Sequence, residues 1–390
     1  VTTKERFEQV MNFRRIDRTL KWEWAYWIET LYRWNQEGLP LSDEESQDLV
    51  EFKESEILIG EAYFSAQNEP REKDVHDYFT LDPRIVRVPV NLFLCPPFER
   101  QILAQEDDII LIRDINGAHK KVFRNRIAMP QFVKRAVENR DDFEQIKERF
   151  DPMDERRFPV NWDSLIKEYK HRDFPLALGE FRCGFFGILN ELIGIENLSY
   201  LLHDEPQLIK DMVNFFADFC ITLFSKVLSQ IEVDFVHFWE DMAFKTGPLI
   251  SPAMFRELIL PSYKMTISAL KEFGVKMFLV DSDGNLWNTI PLLLEAGVTG
   301  IYPLEVAAGM DVVKLRKVFP KLQLIGGIDK RSIAQGKREI DEELSRVATI
   351  IDKGGYIPCI DHSVPPDISW DNFCYYRRRL NQLIEELSMR

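Results

Sequence analysis

Gly274-Val-Lys-Met-Phe-Leu-Val-Asp-Ser-Asp-Gly-Asn285 holds the plan of the fold in one short stretch. A glycine turn follows Phe273, an apolar run covers Lys276–Val280, and a polar Asp281-Ser282-Asp283 ends it. Such a run, bounded by turn residues, reads as a strand buried on both faces. Working outward, the same grammar recurs at Pro175–Gly179, Asp234–Phe238, Gly300–Tyr302, Leu322–Ile325 and Tyr356–Ile360. Amphipathic stretches lie between, among them Pro252–Phe273, Met310–Phe319 and Lys337–Lys353, and Ala296-Gly297 and Gly354-Gly355 turn the chain before further strands. Short strands alternating with helices predict βαβ units and a parallel sheet. Their even spacing predicts an α/β fold of the (β/α)8 TIM type, distorted, with an N-terminal helical and β-hairpin insertion. No G-x-G-x-x-G turn supports the alternative, a doubly wound sheet with a dinucleotide crevice.

The first half is less regular. Lys4–Asn12 reads as a helix and Leu20–Trp27 as the first barrel strand. Arg84–Phe93 and Asp108–Val122 alternate like strands, the latter around an Asn116-Gly117 hairpin turn. Glu138–Arg149 and Trp162–Lys170 read as surface helices. The organisation expected is one barrel domain over 1–390, with the first strand and the insertion in 1–170 and regular βα units in 171–390.

Composition narrows the function classes. With 390 residues, 45% hydrophobic and 29% charged, the chain has ordinary globular composition. About three quarters of its extended surface can be buried at this length. A balance of 50 Lys plus Arg against 64 Asp plus Glu gives −14, a field that repels nucleic acid. No apolar run is long enough for a transmembrane helix, and the first residues carry charges where a secretory signal needs its apolar stretch. The expected address is the cytoplasm, with no membrane partner. Cys95, Cys183, Cys220, Cys359 and Cys374 are odd in number and include no C-x-x-C pair, so buried free thiols are expected.

In a parallel barrel, chemistry collects at the carboxyl ends of the strands. That rule selects Trp22, Trp24 and Tyr26; Glu180 and Arg182; His237, Trp239 and Glu240; Asp281 and Asp283; Tyr302; and His362. Glu240, Asp281, Asp283 and His362 form the expected catalytic set. Converging carboxylates raise one another's pKa and leave one as an acid near neutrality. Asp281, Asp283 and His362 are also a candidate set for a divalent metal. The plainer alternatives are that the two aspartates cap the following helix and that His237 is a core histidine. Trp22, Trp24, Tyr26, Trp27, Tyr32 and Trp34 crowd one stretch of a chain that is 12% aromatic. They are either barrel core or an apolar wall for a flat ligand, to which Trp239 and Tyr302 would add. Arg182, beside Glu180, is the one obvious carboxylate anchor.

Several segments together resemble the uroporphyrinogen decarboxylase superfamily, which includes cobamide-dependent methyltransferases. They are Lys4-Glu-Arg-Phe, Phe238-Trp-Glu-Asp-Met-Ala-Phe-Lys245, Val280-Asp-Ser-Asp-Gly-Asn285, Ile325-Gly-Gly-Ile-Asp329 and Gly354-Gly-Tyr-Ile-Pro-Cys-Ile-Asp-His-Ser-Val-Pro-Pro366. The resemblance implies a distorted (β/α)8 barrel. The decarboxylase's arginine-bearing M-R-Q-A-G-R motif would fall on Trp24–Trp34, which has a single arginine, Arg33. A polyanionic tetrapyrrole would lack its counter-charges there, and unpaired buried carboxylates are costly. The thiol methyltransferases' zinc motif H-x-C falls on Asp281-Ser-Asp283, and their distal cysteine on His362, so both thiolates are gone. That implies either a harder, oxygen-rich metal site, zinc or another divalent ion, or an acid/base site.

The branch implied is a methyltransferase taking methyl from a small donor, an aryl methyl ether in the first instance, to a corrinoid. With no D-x-H-x-x-G motif in the chain, the corrinoid would arrive on a partner protein. Glu240 or His362 would be the proton donor. A decarboxylase or lyase of a small aromatic or tetrapyrrole-like acid is the alternative, and a non-catalytic ligand-binding barrel the third. Oligomeric state stays open, with a homodimer among the options.

Overall fold

The computed structural model describes residues 1–40, 69–123, 130–179 and 182–388. Its first helix, Thr3–Met11, starts from a capping box in which Thr2 and Glu5 satisfy each other's backbone N–H groups. The first regular strand is β1, Val86–Arg87. Pro83 and Pro89 flank it and have no N–H to donate, which keeps it short. Sequence reading assigned Arg84–Phe93 to the insertion, but β1 belongs to the barrel.

An antiparallel sheet follows, with β2 at Gln101–Glu106, β3 at Ile109–Arg113, β4 at His119–Phe123 and β5 at Gln131–Lys134. The Asn116-Gly117 turn joins β3 to β4 as expected. Gly117 takes φ 84°, and Asp114 accepts from the N–H groups of Asn116 and Ala118.

The chain then returns to the barrel with β6 (Leu176–Leu178) and β7 (Phe235–Trp239), and a small hairpin, β8 (Ala243–Phe244) and β9 (Gly247–Pro248), comes next. The last strands are β10 (Phe278–Asp281), β11 (Gly300–Tyr302), β12 (Gln323–Ile325) and β13 (Tyr356–Ile357). All seven barrel strands are parallel, in the order β1-β6-β7-β10-β11-β12-β13. Each apolar run read from the sequence of the second half falls on one of them.

The ring closes through residues 19–27, which the sequence presents as a strand. They run extended but form only one β-bridge, Tyr26 to Val364. Side chains take over the rest of the pairing. Glu23 accepts from Ile360 N, Thr19 donates to Tyr356 O, and Arg84 donates to Trp24 O. Arg377, from the terminal helix, pairs with Glu23 at 3.2 Å with both side chains fully buried. The result is a distorted (β/α)8 TIM-type barrel.

Strand alternation divides the core in two. Phe235, Leu279, Tyr302, Ile325 and Ile357 face inward, where Phe7, Val10 and Met11 of the first helix and Trp22 pack among them. Val236, Phe238, Phe278, Val280, Ile301 and Leu324 face the helices outside. The Phe7 ring lies 5.5 Å from Phe235 and 5.8 Å from Trp22. The interior is thus packed, and polar groups on its face collect where the strands end.

Candidate active site

The period of two along a strand sorts the residues after β7. Phe235 faces in, so His237, Trp239 and Asp241 share the inner side, whereas Glu240 goes out with Val236 and Phe238. Glu240 is fully buried. Its carboxylate accepts from the N–H groups of Phe185 (2.8 Å), Phe186 (2.6 Å) and Gly187 (2.7 Å), and from the Tyr263 hydroxyl. Those are the orphan donors at the start of the helix Phe185–Ile193, where a negative charge is favoured. Burial pushes the Glu240 pKa up and the four hydrogen bonds pull against it.

Two local features bring these groups together. Pro261 has no N–H, and the helix before it widens into a π turn over Phe255–Ile259, after which Tyr263 meets Glu240. Gly184 lets the backbones close in, since a Cβ there would stand 2.1 Å from Trp239 O and 2.8 Å from the Glu240 carboxyl carbon. Glu240, expected in the catalytic set, is therefore sealed between the barrel wall and a helix. The carboxylate on the inner side is its neighbour, Asp241.

The other three expected residues do come together. His237 Nε2 lies 3.6 Å from Asp281 Oδ2, and His362 Nε2 lies 3.4 Å from Asp283 Oδ2. Asp241 adopts φ 41°, unusual for a residue with a Cβ, and its Oδ1 accepts from Asp283 N at 3.4 Å. Burial, followed by repulsion from Asp283, raises Asp281 to about 8, with Arg87 and His362 pulling the other way. Burial and the charges of Asp283 and Asp281 raise Asp241 as well. His362 moves upward: burial opposes its charge, but the hydrogen bond and charge of Asp283 outweigh that. His237, buried and influenced by Arg87, falls well below the ordinary histidine value and is neutral. The cluster therefore brings together two carboxyls whose pKa burial raises, an imidazole whose pKa burial lowers, and His362 3.4 Å from Asp283. These aspartates do not cap the following helix, Ile290–Ala296, which begins beyond them.

Polar groups on the rim are tied to one another. Asp361 accepts from Val306 N and Lys330 N, and Lys330 Nζ lies 3.4 Å from Glu305. Glu305 in turn accepts from Gly284 N.

The expected aromatic wall is divided. Trp24 and Tyr302 meet on the inner face with centroids 4.8 Å apart, and Tyr302 lies 5.5 Å from His237. Trp22 sits deeper, against Phe7. Tyr26 points outward among Trp34, His76 and Phe373. Trp239 is half-buried, its indole edge against Gly187.

Arg182 does not act as an anchor in the cluster. It lies 3.5 Å from Glu191 and over the Phe93 ring. Glu180 falls outside the described residues. A residue that sequence reading passed over, Arg87, stands at the carboxyl end of β1. Ile85 packs against the inner core, so Arg87, two residues on, faces inward too, level with inner Ala177 on β6. The signal available in the sequence was a basic residue closing the Ile85-Val86 run.

Cys359 is buried and its thiol is held well above its ordinary value, so it presents no thiolate. Among the described residues no three His, Cys, Asp or Glu side chains stand together as a metal's ligands would. Asp281, Asp283 and His362 form hydrogen-bonding and charge pairs and do not surround a common point. Among the described residues, too, no helix is long and apolar enough to cross a membrane.

A barrel with polar groups gathered at its strand ends defines a class, and comparison gives the family. The family model for uroporphyrinogen decarboxylase (URO-D) matches residues 108–379, and the chain belongs to that family. Its structure is similar to that of a methyltransferase from Methanosarcina mazei, with a TM-score of 0.54 and 13% identity, over 99% of this chain and 98% of that one. At that identity the likeness speaks for the fold. Comparison with curated proteins gives no match.

Proposed function

We propose that this chain is a methyltransferase that takes a methyl group from an aryl methyl ether bound at the barrel mouth and passes it to a corrinoid carried by a partner protein. The observation that carries this reading is the gathering of Asp281, which lies 3.6 Å from His237, and Asp241, which accepts from Asp283 N, on the same inner face as the Trp24–Tyr302 aromatic pair, where burial raises both carboxyls. The fold shared with a methyltransferase agrees with it.

The corrinoid, when docked, supplies the nucleophile that accepts the methyl. The chain's own residues then handle the oxygen left behind. A free phenol has a pKa of about 10, so Asp281, held at about 8, is a competent donor to a departing phenolate. One positioned acid contributes typically about 10²–10⁴-fold. Asp283, 3.4 Å from His362 at the more open side of the cluster, raises the imidazole's pKa against burial and makes it a second acid for the same site. Trp24, part-exposed and backed by the buried Tyr302, offers a flat face to the ring of the donor.

The test is methyl transfer from methoxyphenols to the reduced corrinoid protein, followed by the corrinoid's visible spectrum. Absence of transfer from any ether, amine or thiol donor would overturn the reading. A second reading, a decarboxylase or lyase of a small aromatic acid, draws on the family's own chemistry and on the same two carboxyls, which would protonate carbon as well as oxygen. Carbon dioxide release without corrinoid would favour it. Turnover unchanged in Asp281→Asn would remove that acid from either reaction.

A further inference from the structure

We infer that Arg87 is the specificity-determining anchor of the barrel mouth, and that the aromatic substrate carries a carboxylate that pairs with its guanidinium. The inference deepens the proposed function and rests on its placement of the substrate at this mouth.

Arg87 is an exposed cation on the inner side of the barrel. Its charge reaches Tyr302, His237 and Asp281. It therefore stands beside the aromatic pair and the proton donor together. The neighbouring charged groups have partners: His362 has Asp283, Lys330 has Glu305, and Arg182 has Glu191. Among the described residues no carboxylate lies within ion-pair reach of Arg87, 4.0 Å.

An arginine whose charge reaches an aspartate cluster would ordinarily be neutralised by one of its carboxylates. Here Asp283 is engaged by His362 at 3.4 Å, Asp281 lies against His237 at 3.6 Å, Asp241 accepts from Asp283 N, and burial raises Asp281 and Asp241. Among the described residues Arg87 thus stands without a carboxylate partner, in a chain whose net charge is −14. A planar guanidinium fork matches a carboxylate bidentately, better than it matches a neutral amide or ether. A flat ring against Trp24 and Tyr302 would then hold its carboxylate at Arg87 and its reacting group toward Asp281.

Two probes of nearly equal shape isolate the charge: 4-methoxybenzoate and 4-methoxybenzamide, titrated by tryptophan fluorescence and calorimetry. The wild-type chain should bind the benzoate about 10- to 100-fold more tightly, as expected for a charged hydrogen bond. Arg87→Gln should abolish that preference, so that both probes bind equally, and Arg87→Lys should keep part of it. Equal wild-type affinities, no wild-type binding of either probe, or a preference that survives Arg87→Gln would each overturn the inference. The wild-type comparison decides even if the variants fail to fold. Arg87-dependent benzoate binding without methyl transfer would sink the methyltransferase reading alone. Transfer from neutral and anionic ethers at equal rates would sink the anchor alone.

Discussion

Glu240 separates a structural role from a chemical one, and its replacement has a calculable cost. Oε1 accepts from Phe185 N and the Tyr263 hydroxyl, while Oε2 accepts from Phe186 N and Gly187 N. In Glu240→Gln one oxygen becomes an NH2 group. If it replaces Oε1, Tyr263 can rotate to accept from it, but Phe185 N–H faces another donor. One buried N–H is then orphaned, at a cost of about 1–3 kcal/mol. The other orientation orphans two, so the first is preferred.

Glu240→Ala strands all three N–H groups, a loss of roughly 3 kcal/mol or more on the same scale. Urea unfolding should show midpoints falling in the order wild type, Glu240→Gln, Glu240→Ala, with an unchanged slope for the glutamine variant. A glutamine variant with wild-type stability and no turnover would refute this account and return Glu240 to the chemistry.

Two further outcomes follow from the charges. Asp281 lies at about 8 in the folded chain, above its ordinary value of 3.8, so it binds its proton more tightly when folded. The stability it contributes is complete below the unfolded value and is lost as pH rises through about 8; the donor activity disappears over the same upper limb. Melting curves and kcat/KM profiles between pH 5 and 9 should both flatten in Asp281→Asn, and unaltered profiles would contradict the assignment. Arg377→Met leaves Glu23 buried without its cation where the ring closes, and denaturant titration should register a loss of about 3–5 kcal/mol.

Much of the site was readable before any coordinates. Asp281, Asp283 and His362 each follow a short apolar run, and a parallel barrel brings such positions to one end. Glu240 is legible too, but the structure places it against the start of a helix and not in the cluster. Counting in twos from Phe235 reaches Asp241, and a glutamate beside a strand end has no visible mark that distinguishes a helix cap from an acid. Arg87 was hidden for another reason: its strand is two residues long between prolines, too short to display a period.

The alternation of apolar runs and amphipathic stretches determined the parallel barrel, because periodicity is a local property that each segment carries alone. Which side chains face the mouth, which aspartates have their pKa raised and which carboxylates an arginine meets are properties of approach between distant segments. They depend on burial and on charges a few ångströms apart, such as Asp283 beside His362, and only the closed ring of strands sets those distances.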